Sequence, residues 1–345
     1  MSQTLQYTPC LDVRYFLQIN LTSIVYRSLT RFEMDVSIAW SVLFLFILIP
    51  NVLLLSIICL RRSLWTYSSI LVGSLCCANM IYDFFYVLPI KILAIRNSIH
   101  PFINIYCQLS SIVIQFAFVC CMNFHICSIS LEKFIAITSP FWYNQISVYK
   151  SALFINILIV CWILPTFVAF LPIIIGWWRM CPYFCLISET IENRKLSLQA
   201  WHIFWSFLMF LLPTFVTMVL YFRIYLVAKD HATRIQAASQ NSSRHSSYIN
   251  LKATKAVAII IGVYLILQTP YNVYQVLIVV DKSIVNGAGR YNLREWLFYL
   301  ASWHSVASPI IYGFFNKNLR DNVVAIVCHC KAMRFGTVTS SSILS

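Results

Sequence analysis

The chain has 345 residues, is 60% hydrophobic and only 10% charged, and carries a formal net charge of +14. A soluble domain of this size covers its surface with far more charge, so that class is excluded. The composition is that of a chain whose solvent is largely lipid.

About 20 apolar residues cross a hydrocarbon core. Seven stretches reach that length: 36–60, 67–95, 103–137, 149–173, 198–228, 250–280 and 293–315. In lipid each must satisfy its own backbone hydrogen bonds, so each is predicted to be a helix. The expected fold is an all-α membrane protein, a seven-helix bundle over 36–315 between an outer tail, 1–35, and an inner tail, 316–345. The outer tail is polar and mixed, without the short apolar core of a cleavable signal peptide, so none is expected there.

Charge sets the expected orientation. With the N-terminus outside, the inner loops, inner span ends and tail hold 14 Lys/Arg against 3 acids, and the rest of the chain holds 11 against 8. This agrees with the excess of Lys and Arg on cytoplasmic loops. The positive charge is thus spent on topology, and a basic soluble face for nucleic acid is not expected. Asn20 opens a glycosylation sequon on the outer side, whereas Asn241-Ser-Ser243 matches but would face the cytosol. The inner loop near 229–249 contains Ala237 to Ser247, a polar stretch that cannot bury a core.

Of thirteen cysteines, Cys10, Cys107, Cys181 and Cys185 fall outside, where disulfides persist, and four cysteines allow three pairings. After the last span, Phe314 to Cys330 has apolar residues at helical spacing and is read as an amphipathic eighth helix on the inner leaflet. Cys328 and Cys330 at its end suit reversible palmitoylation. Asp83 is read as the single acid within a span, either a ligand counter-ion or a partner for Lys91, His304 or water.

Several stretches carry a resemblance: Leu131-Glu132-Lys133-Phe134 with Pro140-Phe141 after the third span, Cys161-Trp162 with Pro165, Leu212-Pro213 with Tyr221 to Tyr225, Thr254-Lys255-Ala256 with Pro270, and Ser308-Pro309 with Tyr312. In this order they resemble the rhodopsin-like G-protein-coupled receptors, and most of all the amine-receptor branch near trace-amine-associated and serotonin receptors. The likeness covers roughly 36–330.

The resemblance implies a plasma-membrane receptor and no enzyme, with a heterotrimeric G protein at the inner face and a small-molecule ligand in the outer half. Glu132, Lys133, Phe141, Tyr221 and Tyr312 are the expected coupling and switch residues. Pro213, Pro270 and Pro309 are pivots or static kinks. Lys133 replaces the family's arginine and lacks its planar, multi-donor head. It also implies a Cys107–Cys185 bridge and a Cys10–Cys181 bridge. Thr337, Thr339 and Ser340 to Ser342 form a phosphorylatable cluster for arrestin.

Other positions depart from the family. Its sodium-binding acid falls on Asn79, with Met122, His304 and Ser308 nearby in the pattern, and a hard cation wants several oxygens including a carboxylate. No metal or other cofactor is expected. The family's span-six tryptophan falls on Gln268. The amine-binding aspartate falls on Gln115 counting back from Lys133, or on Ile114 counting forward from Cys107. The expected pocket is Gln115, Phe116, Val119, Trp205, Ser206, Met209, Gln268, Tyr271, Asn272, Gln275, Phe298 and Ser302, with Asp83 as its acid. Such an aromatic, amide-bearing lining suits a neutral or weakly polar ligand. The alternative is a seven-helix protein that does not signal and serves as a partner or scaffold for another receptor.

Overall fold

A computed structural model describes residues 31–93, 101–148, 154–176, 178–180, 187–189, 201, 203–238, 259, 262–277 and 289–315. Its first span, Arg31–Leu60, begins five residues before the predicted start. The second runs Tyr67–Ile92, opened by Thr66, whose hydroxyl accepts the Ser69 amide. The third is continuous over 101–138. A short helix, Pro140–Val148, follows it in the inner loop, where no element was expected. The fourth runs Phe154–Ile174. The fifth occupies 203–238 and so continues past its predicted end at 228 into the inner loop. The sixth is described over 262–277. The seventh breaks at Trp303 into Gly289–Ser302 and His304–Phe315.

Four of the described helices are long and apolar enough to cross a bilayer alone: the first, second and fourth spans and Gln115–Thr138 of the third. A short hairpin accompanies the helices. Trp178–Met180 (β1) and Ile187–Glu189 (β2) pair antiparallel in the outer loop, with Arg179 opposite Ser188. The expected eighth helix lies outside the described residues. So do Asn20, Cys10, Cys181, Cys185, Cys328 and Cys330. Cys107 is buried and disulfide-bonded.

Among the described residues, four helical stretches are wound with π turns: Asp83–Ile92, Leu109–Ile114, Ile157–Ile163 and Phe207–Leu211. Such turns are rare and hold about one residue more than an α turn. Each re-aims the side chains beyond it. Pro89 lies inside the first, where the wider turn accommodates a residue without an N–H.

The helices meet through buried polar groups. Asn51 donates to the Ile47 carbonyl at 2.8 Å and the Ser305 carbonyl at 3.1 Å. Asn79 donates to the Asn51 side chain at 3.0 Å. Spans one, two and seven are thereby tied at mid-depth. A second knot joins spans two, three and four. Trp162 donates its indole N–H to Ser74 at 2.9 Å, and Ser74 lies 2.8 Å from His125 Nε2. His125 Nδ1 lies 2.7 Å from the Cys121 carbonyl, which can only accept. Nδ1 therefore carries the proton, Nε2 accepts, and the Ser74 hydroxyl passes the chain of bonds onward. Trp162 also packs edge-on against Phe118 and His125.

Ser74→Ala removes the shared hydroxyl and leaves two buried ring nitrogens unsatisfied. It is expected to cost about 1–2 kcal/mol, read as a lower Tm of the purified protein in detergent. An unchanged Tm would show that the knot holds nothing.

Candidate functional site

The Lys/Arg bias makes the end of the bundle that holds Cys107 the expected outer one. At the outer end, the π stretch Leu109–Ile114 ends where Gln115 begins. That extra residue lies between Cys107 and Gln115. A turn with one residue more fits the one-residue difference between counts from Cys107 and from Lys133. Gln115 is the inward residue: it is buried, and its side-chain carbonyl accepts the Tyr86 hydroxyl at 3.1 Å. Ile114 is half-buried.

Tyr86 begins an aromatic cluster. It stacks on Tyr82 at 5.1 Å and meets the edge of Phe298 at 6.0 Å. Phe298 touches Tyr271 at 5.0 Å and Trp40 at 5.5 Å. Gln275 donates to the Tyr271 hydroxyl at 2.9 Å. Of the expected pocket residues, Gln115, Tyr271, Gln275 and Phe298 thus come together around Tyr86. A separate pair, Phe116 and Trp205, joins spans three and five with centroids 4.9 Å apart. Val119 and Ser206 are half-buried, and the Met209 side chain lies outside what the structure describes.

The remaining expected hydrogen-bonding groups already have partners. The Gln268 amide lies 2.9 Å from His304 Nδ1 and donates to the Ala301 carbonyl at 3.4 Å. Asn272 donates back to the Gln268 carbonyl at 2.9 Å, and Ser302 to the Phe298 carbonyl at 2.9 Å. Gln268 therefore welds span six to span seven. Tyr264, one turn inward, donates to Asn123 of span three at 2.6 Å.

The acids correct the sequence reading twice. Asp83 is fully buried, and neither carboxylate oxygen has a hydrogen-bond partner among the described residues. Two of its expected partners are engaged elsewhere: His304 with Gln268 and Ala301, and Lys91 with another acid. That acid is Glu295, 6% exposed, in the first half of the seventh span; Asp83 is not the single intramembrane acid. Lys91 Nζ lies 2.5 Å from Glu295 Oε2. It also sits over the rings of Phe298 at 5.3 Å, Trp40 at 5.6 Å and Tyr86 at 5.7 Å. A signal was present in the sequence: Lys91 lies in an apolar run and Glu295 opens one, and such charges are stable in lipid as a pair.

At the inner end, Glu132 is buried and Lys133 Nζ lies 3.0 Å from its Oε2. A pair of chain neighbours would be a weak lock, but each member has a second anchor. Lys133 donates to Ser68 on span two at 2.8 Å, and Tyr143 of the inner-loop helix donates to Glu132 Oε1 at 2.6 Å. Burial, then the negative charge of Glu132, pushes the Tyr143 phenol above its ordinary range, so it stays a donor at neutral pH. Neither Ser68 nor Tyr143 was singled out from the sequence. Phe141, on the same helix, is 76% exposed, and Trp142 beside it is 60% exposed. Tyr221 is half-buried and Tyr312 buried.

Seven apolar spans, an acidic-basic pair closing the third, and an aromatic outer cluster define a class. Residues 50–312 match the family model described as 7 transmembrane receptor (rhodopsin family), and the chain belongs to that family. It is 29% identical over 232 residues to human 5-hydroxytryptamine receptor 4, covering 59% of this chain and 57% of that receptor. It is 27% identical over 287 residues to mouse trace amine-associated receptor 7b, covering 80% and 77%. Rat trace amine-associated receptor 8b is 28% identical over 288 residues, covering 77% and 78%. The alignment thus spans little more than half of the serotonin receptor's own length.

Glu295→Gln leaves the Lys91 ammonium buried without its counter-charge. It is expected to destabilise the protein by about 3–5 kcal/mol, whereas Lys91→Met with Glu295→Leu is near neutral. Thermal unfolding in detergent compares them. Equal losses in both variants would mean that the charges are not paired in the membrane.

Proposed function

We propose that the chain is a G-protein-coupled receptor that takes a small organic ligand in the outer half of its bundle and activates a heterotrimeric G protein at the inner face. The observation that carries this is the inner end of span three. There Glu132 and Lys133 are tied to Ser68 and Tyr143, beside an exposed Phe141. An exposed aromatic on a short helix suits insertion into a partner's groove, because such anchors dominate interfaces. The N-terminus is outside and the protein resides in the plasma membrane, as the Lys/Arg bias suggests. Likeness to receptors named for trace amines favours a chemosensory role.

The ligand is neutral or weakly polar. Gln115 stands where an amine receptor of this family would offer a carboxylate, and Glu295 is neutralised by Lys91. A ligand ammonium would meet only Asp83, deep in span two, or the face of Trp205. Further proposals complete the reading. They are bridges Cys107–Cys185 and Cys10–Cys181 over the pocket mouth, a glycan on Asn20, palmitate on Cys328 and Cys330, and arrestin at the phosphorylated tail.

Two measurements test this. Phe141→Ala is expected to abolish G-protein activation in cells at unchanged surface expression, and unchanged coupling defeats that anchor. If the wild type activates no G protein with or without ligand, the scaffold role takes its place. Simple monoamines and their uncharged isosteres are compared on the wild type and on Asp83→Asn. The isosteres are expected to be the more potent on both. Potent amine activation that survives Asp83→Asn would refute the ligand class.

A further inference from the structure

The surroundings of the Lys91 ammonium are those of a binding site. Three aromatic faces lie within 5.3–5.7 Å of it, and one carboxylate touches it. Aromatic boxes closed by an acid are how proteins hold alkylammonium ligands, because ring faces and carboxylate replace the lost hydration together. A buried ion pair adds little stability over apolar residues of the same volume, so stability is a weak account of it. Two of the walls are shared with the outer cluster: Tyr86 donates to Gln115, and Phe298 packs on Tyr271.

We propose that Trp40, Tyr86, Phe298 and Glu295 form an amine-binding site that the chain fills with its own Lys91. The lysine acts as a tethered ligand. Its ammonium bridges spans two and seven, and its presence keeps external amines from Glu295. The site's preference is for a short, unbranched primary ammonium, because the occupant it is shaped around is one. Trimming Lys91 to alanine removes three methylenes and the nitrogen, a fragment that n-propylammonium restores. The proposal rests on packing alone and stands whether or not the chain couples to a G protein.

The test uses the full chain purified in detergent, with n-propylammonium as probe and n-propanol as its uncharged control. Lys91→Ala is expected to gain roughly 3–6 °C in Tm at saturating n-propylammonium and nothing with n-propanol. The wild type, with its tethered ammonium in place, and Lys91→Met, with the space filled, do not respond. Lys91→Ala with Glu295→Gln loses the response. If Lys91→Ala does not accumulate in folded form, its folded yield from cells grown with n-propylammonium is read instead, and a several-fold gain is expected. The proposal is overturned if neither readout moves, if the wild type responds as strongly, or if the response survives loss of the Glu295 charge.

Discussion

In a bilayer the outside of a helix bundle is as apolar as its inside, so the hydrophobic effect does not choose which faces meet. Interhelical hydrogen bonds and close packing do. The first span shows this. Its buried stripe includes Trp40, Leu43, Ile47 and Leu54, while Ile38, Leu45, Ile49 and Leu53 of the same character lie exposed. What sets the inward face apart is Asn51, whose amide reaches span seven and whose carbonyl receives Asn79. The Trp162–Ser74–His125 chain does the same for spans two, three and four. Leaving any of these groups in hydrocarbon is costly, which makes one packing preferable to its rotated alternatives.

The two ends of the bundle treat charge differently. The outer pair joins residues 204 apart in sequence and is buried on both sides. Little water competes there, so the attraction between Lys91 and Glu295 is strong and its disruption severe. The inner pair joins chain neighbours, and the Lys133 side chain is 24% exposed. Water reaches it, and its partners on span two and on the inner-loop helix are single hydrogen bonds. The inner end is therefore the softer one. A device whose inner helix ends separate while its outer end stays closed would be built in this way. The three prolines at 213, 270 and 309 each lie within a helix of spans five, six and seven.

Departures from the family pattern are not idle positions. Gln268, where the resemblance put a tryptophan, donates to the Ala301 carbonyl of span seven and lies beside His304. Met122 receives the Ser305 hydroxyl at 3.7 Å, and Asn79 binds Asn51. Each of these groups has a partner elsewhere in the bundle: Asn79 on Asn51, Met122 on Ser305, and His304 on the Ala301 carbonyl.

The amino-acid sequence by itself determined the solvent, the helical class, the order of the spans and the depth of the motifs, because a hydrocarbon core demands length and apolarity within each segment. It did not reveal which face of each helix turns inward, since apolar residues surround the helix on all sides. Nor did it reveal the π turn before Gln115, a backbone choice that shifts the register by one residue and leaves Gln115 more buried than Ile114. Glu295 was readable as a residue but not as a partner, because its meaning depends on Lys91 arriving from a distant span. Tertiary structure alone decided that pairing, the anchoring of Glu132 by Tyr143 and the continuation of the fifth span through Ala238. Each depends on a contact between segments far apart or on a local winding that composition does not encode.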